Sequence, residues 1–92
     1  MVIETERFKQ ASAALPPSVK QVLERTVHML ETDRGNPTLR AHKLKRARPL
    51  WECFCGPDHR IIYQWVDGDL HLLDVGRHNM IDLVHTRNYR LA

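Results

Sequence analysis

A chain of 92 residues has room for one hydrophobic core and not for two, so a single domain spanning residues 1–92 is expected. The residues are 42% hydrophobic and 27% charged, with four glycines and five prolines, a balance that excludes a disordered or low-complexity chain. The formal net charge of +3 names no partner by itself, but no apolar run is long enough for a membrane span and Met1 to Arg7 lacks the basic-then-apolar order of a secretion signal, so a soluble cytoplasmic protein is expected.

Met1 to Glu6 is rich in β-branched residues and reads as a short first strand that needs a partner. Phe8 to Leu15 is Ala-rich and helix-permissive until Pro16 and Pro17 interrupt it. Ser18 with Gln21 three residues on fits a capping box for a second helix over 17–32, in which Val19, Val22, Leu23, Thr26, Val27 and Leu30 share one face. Asp33 to Pro37 stops that helix, Gly35 being suited to a left-handed end. Thr38 to Arg48 is expected to be a loop. Leu50 to Cys55, Arg60 to Val66 and Leu70 to Val75 are apolar, aromatic and β-branched, and are separated by Gly56-Pro57-Asp58 and by Asp67-Gly68, the latter a hairpin signal. Asn79 to Val84 suggests a short C-terminal helix.

The order β-α-α-β-β-β predicts an α+β fold, with an N-terminal strand and two helices packed on one face of an antiparallel sheet and the other face open to solvent or a partner. Cation placement adds a functional hint. Arg34, Arg40, Lys43, Lys45, Arg46 and Arg48 occur in one stretch without an acid, whereas Asp67, Asp69 and Asp74 come later. Cys53 and Cys55, two apart on one strand, are too far apart to bridge without distortion. Together with His59 they offer three metal-binding side chains, but the spacing is not C-x2-C and a fourth ligand is missing, so no metal or other cofactor is expected. The sevenfold spacing of His71, His78 and His85 crosses a strand, a loop and a candidate helix, and so marks no common face.

The helix pair, then His42-Lys43-Leu44-Lys45, Trp51, His59-Arg60-Ile61-Ile62-Tyr63 and Leu72 to His78 with Val75-Gly76, occur in an order that resembles the RelE/ParE superfamily of toxins from type II toxin–antitoxin systems. The resemblance covers about residues 8–78. It implies a RelE-like fold and, in the RelE branch, an endoribonuclease that enters the ribosomal decoding site, cleaves mRNA and is held inactive by a cognate antitoxin in a hetero-oligomer. In the ParE branch it implies a protein that inhibits DNA gyrase without chemistry, and an attenuated, non-toxic homologue is a third reading. Fold alone does not choose among them.

Metal-independent RNA cleavage needs a base for the 2′-hydroxyl proton, cations for the phosphorane and an acid for the leaving 5′-oxygen. Arg60 matches the family's arginine before the I-I-Y segment, and its planar fork suits a phosphate. His78 stands where YafQ-like toxins carry a histidine after Gly-Thr. His42 before Lys43-Leu44-Lys45 and Asp58 in Gly56-Pro57-Asp58 match the same subgroup, and Glu52, in the first strand of the meander, is a candidate base, the role a carboxylate has in YoeB-like members. Lys43, Lys45, Arg46, Arg48 and Arg77 are the candidate RNA-binding cations. Tyr63 and Trp65, on the strand face away from Arg60, are expected to be core. Arg60 and His78 are expected to share one cationic surface. This chain departs from RelE in carrying Trp51-Glu52-Cys53-Phe54 where RelE has lysines, and in Gly76-Arg77-His78 where many members read Gly-His-Arg. The terminal tyrosine of other members has no counterpart in register, although His85 and Tyr89 lie near. The antitoxin is expected to be acidic where it meets the basic stretch.

Overall fold

In the computed structural model, Val2–Glu4 forms β1, Glu6–Ala13 forms α1 and Pro17–Thr32 forms α2. His42–Lys43 forms β2, Trp51–Cys55 β3, His59–Val66 β4 and Asp69–Arg77 β5; 3-10 helices cover Pro37–Leu39 and His78–Thr86. The structure describes residues 1–47, 49–87 and 89–91, with all of their side chains except those of Ile81, His85 and Thr86. The α+β architecture matches expectation. The sheet is mixed rather than antiparallel: in the order β1-β5-β4-β3-β2, β1 runs parallel to β5, with Ile3 opposite His71. β1 lies beside the last strand, the two helices carry the chain to β2 at the opposite edge, and three antiparallel pairings from β2 back to β5 leave β5 running parallel to β1.

α1 starts at Glu6, two residues before the expected boundary. Thr5 caps it by accepting the N–H of Phe8, and the same hydroxyl donates to the Leu72 carbonyl, which ties the helix to β5. α2 occupies the expected span, but without the expected capping box. Pro17, with its φ fixed for helix, takes the first helical position, so Ser18 falls inside the first turn and Pro16 becomes the cap. Leu23, Thr26 and Leu30 are buried, and with Phe8, Cys53, Cys55, Ile61, Tyr63, Leu70, Leu72 and Val75 they form the main core between helices and sheet. The helix ends at Asp33, whose φ of −153 and ψ of 58 leave the helical region, and Gly35 does not take the left-handed conformation.

Between 38 and 48 the expected loop contains the end of one 3-10 helix and the two-residue strand β2, an edge strand paired to β3. Asp67 and Gly68 both have positive φ, as a two-residue hairpin turn of primed type requires. Gly68→Ala is therefore expected to cost about 1 kcal/mol, measured by urea denaturation.

The far face of the sheet is not open along its whole length. Leu50, Ile62, Leu73, Met80 and Val84 form a second cluster, with Leu44, Ala47 and Tyr89 packed against it. The segment before β3 and the C-terminal 3-10 helix fold back over the strands because those strands carry apolar residues on both faces. A bulge in β5 adds a carboxylate to that apolar face. Ile62 pairs with Asp74 but Tyr63 with Leu72, which leaves Leu73 as the extra residue; Val75 returns to the main core and Asp74 is turned to the second face.

Candidate functional site

Side-chain alternation sends Glu52, Phe54, Arg60 and Ile62 to the face away from the helices, and ladder register sorts them into two adjacent rows. His42, Glu52, Ile62 and Asp74 make one row; Phe54, Arg60 and Gly76 make the next.

In the first row, Nε2 of His42 lies 3.2 Å from Oε1 of Glu52, and Nδ1 of the same ring lies 3.0 Å from the Arg40 carbonyl. A carbonyl only accepts, so Nδ1 carries a hydrogen, and Nε2 faces the Glu52 carboxyl either as an acceptor or, when the ring carries a second proton, as a donor. The two partners are unequally exposed. Glu52's side chain is 8% exposed and that of His42 53%, so the imidazole is the half a substrate reaches. Burial pushes the Glu52 carboxyl above its ordinary value, while His42 and Arg60 act in the opposite sense. Its second oxygen, Oε2, is buried with no hydrogen-bond partner among the described residues.

The folded protein therefore holds the Glu52 proton more tightly than the unfolded chain does. Stability falls as pH rises from the ordinary value of 4.5 through the raised folded value, and levels off above it. Glu52→Gln removes that loss. Its advantage over the parent in urea melts is expected to widen between about pH 4 and pH 7, and an advantage that stays constant with pH would contradict a raised carboxyl.

In the second row, the guanidinium carbon of Arg60 lies 3.5 Å from the centre of the Phe54 ring. Its Nη1 donates to the carbonyls of His59 at 2.7 Å and Pro57 at 3.3 Å. Among the described residues no carboxylate forms an ion pair with Arg60, neither Glu52 nor Asp58. Neutral carbonyls and an aromatic ring hold its charge in place without cancelling it. Asp58 is exposed in the β3–β4 turn, and its carbonyl accepts the N–H of His78 at 2.7 Å. Three consecutive carbonyls thus secure both the Arg60 head and the His78 backbone. His78 is exposed at the start of the C-terminal 3-10 helix. The direct side-chain pair is His42 with Glu52.

The candidate cations are spread out. Lys43 points to the other face of the sheet, its Nζ 5.6 Å from the Trp51 ring centre, where with Arg34 and Trp65 it lines a groove of about 810 Å³. Lys45 and Arg46 are exposed in the turn before β3, and Arg48 lies outside the described residues. Arg77, exposed at the end of β5, lines with Arg7, His59 and Arg87 a groove of about 610 Å³. Tyr63 is core as expected; Trp65 is half-buried, with Arg34 stacked 4.7 Å from its ring centre. Cys53 and Cys55 are free thiols buried beneath the helices, and burial pushes both up and keeps them protonated. Among the described residues no group of three or more His, Cys, Asp or Glu side chains is placed to hold a metal ion.

Sequence reasoning missed a third constellation. Oδ2 of the buried Asp74 accepts from the Tyr89 hydroxyl at 2.7 Å and from Nη1 of Arg87, while Oδ1 accepts the N–H of Val75 at 2.9 Å. Burial, then Asp74, pushes the Tyr89 phenol up, so it stays a donor. The only sequence signal was a lone acid in an apolar strand, whose partners lie 13 and 15 residues away.

No protein-family model matches the chain, and no curated protein is significantly similar to it in sequence. Solved structures do match. YafQ from E. coli strain BL21(DE3) superposes with a TM-score of 0.73 at 16% identity, over 88% of this chain and 96% of YafQ. A metal-bound toxin from Helicobacter pylori gives 0.70 at 21% identity, over 88% and 97% of the two chains. An archaeal RelE, solved in complex with RelB from Pyrococcus horikoshii OT3, gives 0.66 at 21% identity, over 83% and 91%. The chain has the fold of RelE- and YafQ-type toxins. No described helix is long and apolar enough to cross a membrane.

Proposed function

We propose that this protein is the toxin of a toxin–antitoxin pair and acts as a ribosome-dependent endoribonuclease on mRNA, without a metal. The observation that carries the reading is the His42–Glu52 pair at 3.2 Å, one row from Arg60, which has no ion-pair partner among the described residues, on the same face of a RelE-like sheet. With Nδ1–H held by the Arg40 carbonyl, Nε2 of the neutral His42 ring takes the 2′-hydroxyl proton as the 2′-oxygen attacks phosphorus, and the imidazolium that forms pairs with the Glu52 carboxylate. Glu52, too buried to meet substrate, orients the ring. Arg60 holds the phosphorane oxygens. As the bond from phosphorus to the 5′-oxygen breaks, the leaving oxygen takes a proton from His78, and a 2′,3′-cyclic phosphate and a 5′-hydroxyl remain. With so few groups of its own, the enzyme depends on the ribosome to align the 2′-oxygen.

Structures such as the RelE–RelB and DinJ–YafQ complexes support a cognate antitoxin as partner, acidic where it meets this chain's basic stretch. The cytoplasm, where translating ribosomes are, is the proposed location. Induction in a bacterial host followed by 5′-end mapping of translated messages tests the reading: new ends inside translated frames are expected, and growth arrest with intact messages would overturn it. A His42→Ala variant is expected to lose those ends while keeping its fold, because the exposed imidazole is not part of either core.

A further inference from the structure

Phe54 belongs to neither apolar cluster, yet it is half-buried; guanidinium groups cover its ring. Arg60 is one of them, directly opposite in the ladder. The other is Arg40, with its guanidinium carbon 5.2 Å from the same ring centre. If the β2–β3 ladder, in which His42 faces Glu52, ran two residues further, Arg40 would face Phe54. The backbone departs from the strand there. Arg40 has φ +48, and with Asp67 it is one of two non-glycine residues with positive φ among those described. That conformation is unfavourable for a residue with a Cβ, and here it coincides with two contacts. The Arg40 carbonyl is turned to Nδ1 of His42, and its side chain is laid over Phe54.

We infer that Arg40 and Arg60 form a two-guanidinium clamp, stacked on Phe54, that binds the phosphodiester backbone of single-stranded RNA beside the His42–Glu52 pair. Among the described residues neither arginine forms an ion pair with a carboxylate, so two like charges are gathered around one ring, with the buried Glu52 of the next row acting on Arg60 only from beyond contact. Such an arrangement is stable against its own repulsion through the ring and the carbonyls, and an anion placed between the heads relieves it. A planar fork on each side of a phosphate gives the directed hydrogen bonds that lysines elsewhere on the basic stretch do not. The row ends at Gly76, where the absent side chain leaves room for Met80, whose Sδ would lie 3.1 Å from a Cβ built there.

The clamp deepens the nuclease reading by naming a substrate-binding residue, and its test reads binding rather than cleavage. A 2′-O-methyl RNA oligonucleotide, which cannot be cut, is titrated into the full chain over a series of salt concentrations. Arg40→Gly is the informative variant: glycine accepts φ +48 and keeps the carbonyl that holds His42, so its thermal midpoint is expected to equal or exceed the parent's. Affinity is expected to fall about tenfold and the slope of log K against log salt to lessen by about 0.7. Adding Arg60→Ala is expected to cost less than the two single losses combined, because the heads share one anion. Unchanged affinity and slope in Arg40→Gly would overturn the clamp. So would a parent that fails to bind the oligonucleotide at low salt, or equal competition by hexaglutamate, which would assign the surface to an acidic peptide. Loss of binding in Arg40→Gly, alongside uncut messages in cells, would leave the clamp standing and remove the nuclease.

Discussion

An Asp74→Ala variant is expected to lose about 2–4 kcal/mol of stability in urea melts, the largest effect of any single polar substitution in this chain. The carboxylate is 3% exposed and joins β5 to both Arg87 and Tyr89, which lie beyond the C-terminal 3-10 helix. Its removal leaves a guanidinium in a site where it is only 28% exposed and a phenol without its acceptor. Because Arg87 retains some contact with water, the loss sits below that of a fully enclosed ion pair. Tyr89→Phe deletes one hydrogen bond and keeps the ring that packs on the second cluster, so it is expected to cost about 1 kcal/mol. Hydrogen exchange separates local from global loss: in Asp74→Ala the amides around Met80 and Val84 are expected to lose protection before those of α2. Equal loss of protection in both places would mean that Asp74 supports the whole fold and does not chiefly fasten the tail.

Arg60→Ala is expected to slow single-turnover cleavage of a ribosome-bound message by about 100-fold to 1000-fold, the range for losing one pre-placed donor to developing negative charge. Its folding cost is smaller, since the guanidinium is bonded to two turn carbonyls and stacked on a half-buried ring and is not part of either apolar cluster. Arg60→Lys keeps the charge but not the flat fork, and is expected to recover only part of the rate. A parent-like rate in Arg60→Ala, with cleavage still abolished by His42→Ala, would move phosphate binding elsewhere on the face.

How much of this could be read from the chain depends on how local each signal is. α2 was legible to its ends because Pro17 and the apolar spacing from Val19 to Leu30 act within a few residues of one another. The Asp67-Gly68 turn was legible for the same reason. His42 and Arg60 are reached through the resemblance to the toxin family and Glu52 by analogy with it, but their grouping follows from ladder register between strands, which the two-residue β2 does not announce. The bulge at Leu73 was invisible because Leu72 and Leu73 are equally apolar, yet it decides which face Asp74 joins. The role of Tyr89 as a donor to Asp74 followed from that. Arg40 looked like one more cation in a basic run, and only its backbone angle sets it apart.

Pairing of β1 with β5 joins residues some 67 positions apart through the Thr5 hydroxyl and the Leu72 carbonyl. Synthesis runs from the amino end, so the earliest strand to emerge waits for the latest before the sheet can close. Both rows of the proposed nuclease face need β4, and one of them also needs the β5 bulge. A nascent chain still threaded through the exit tunnel at that point has no assembled cutting surface with which to attack the message being decoded.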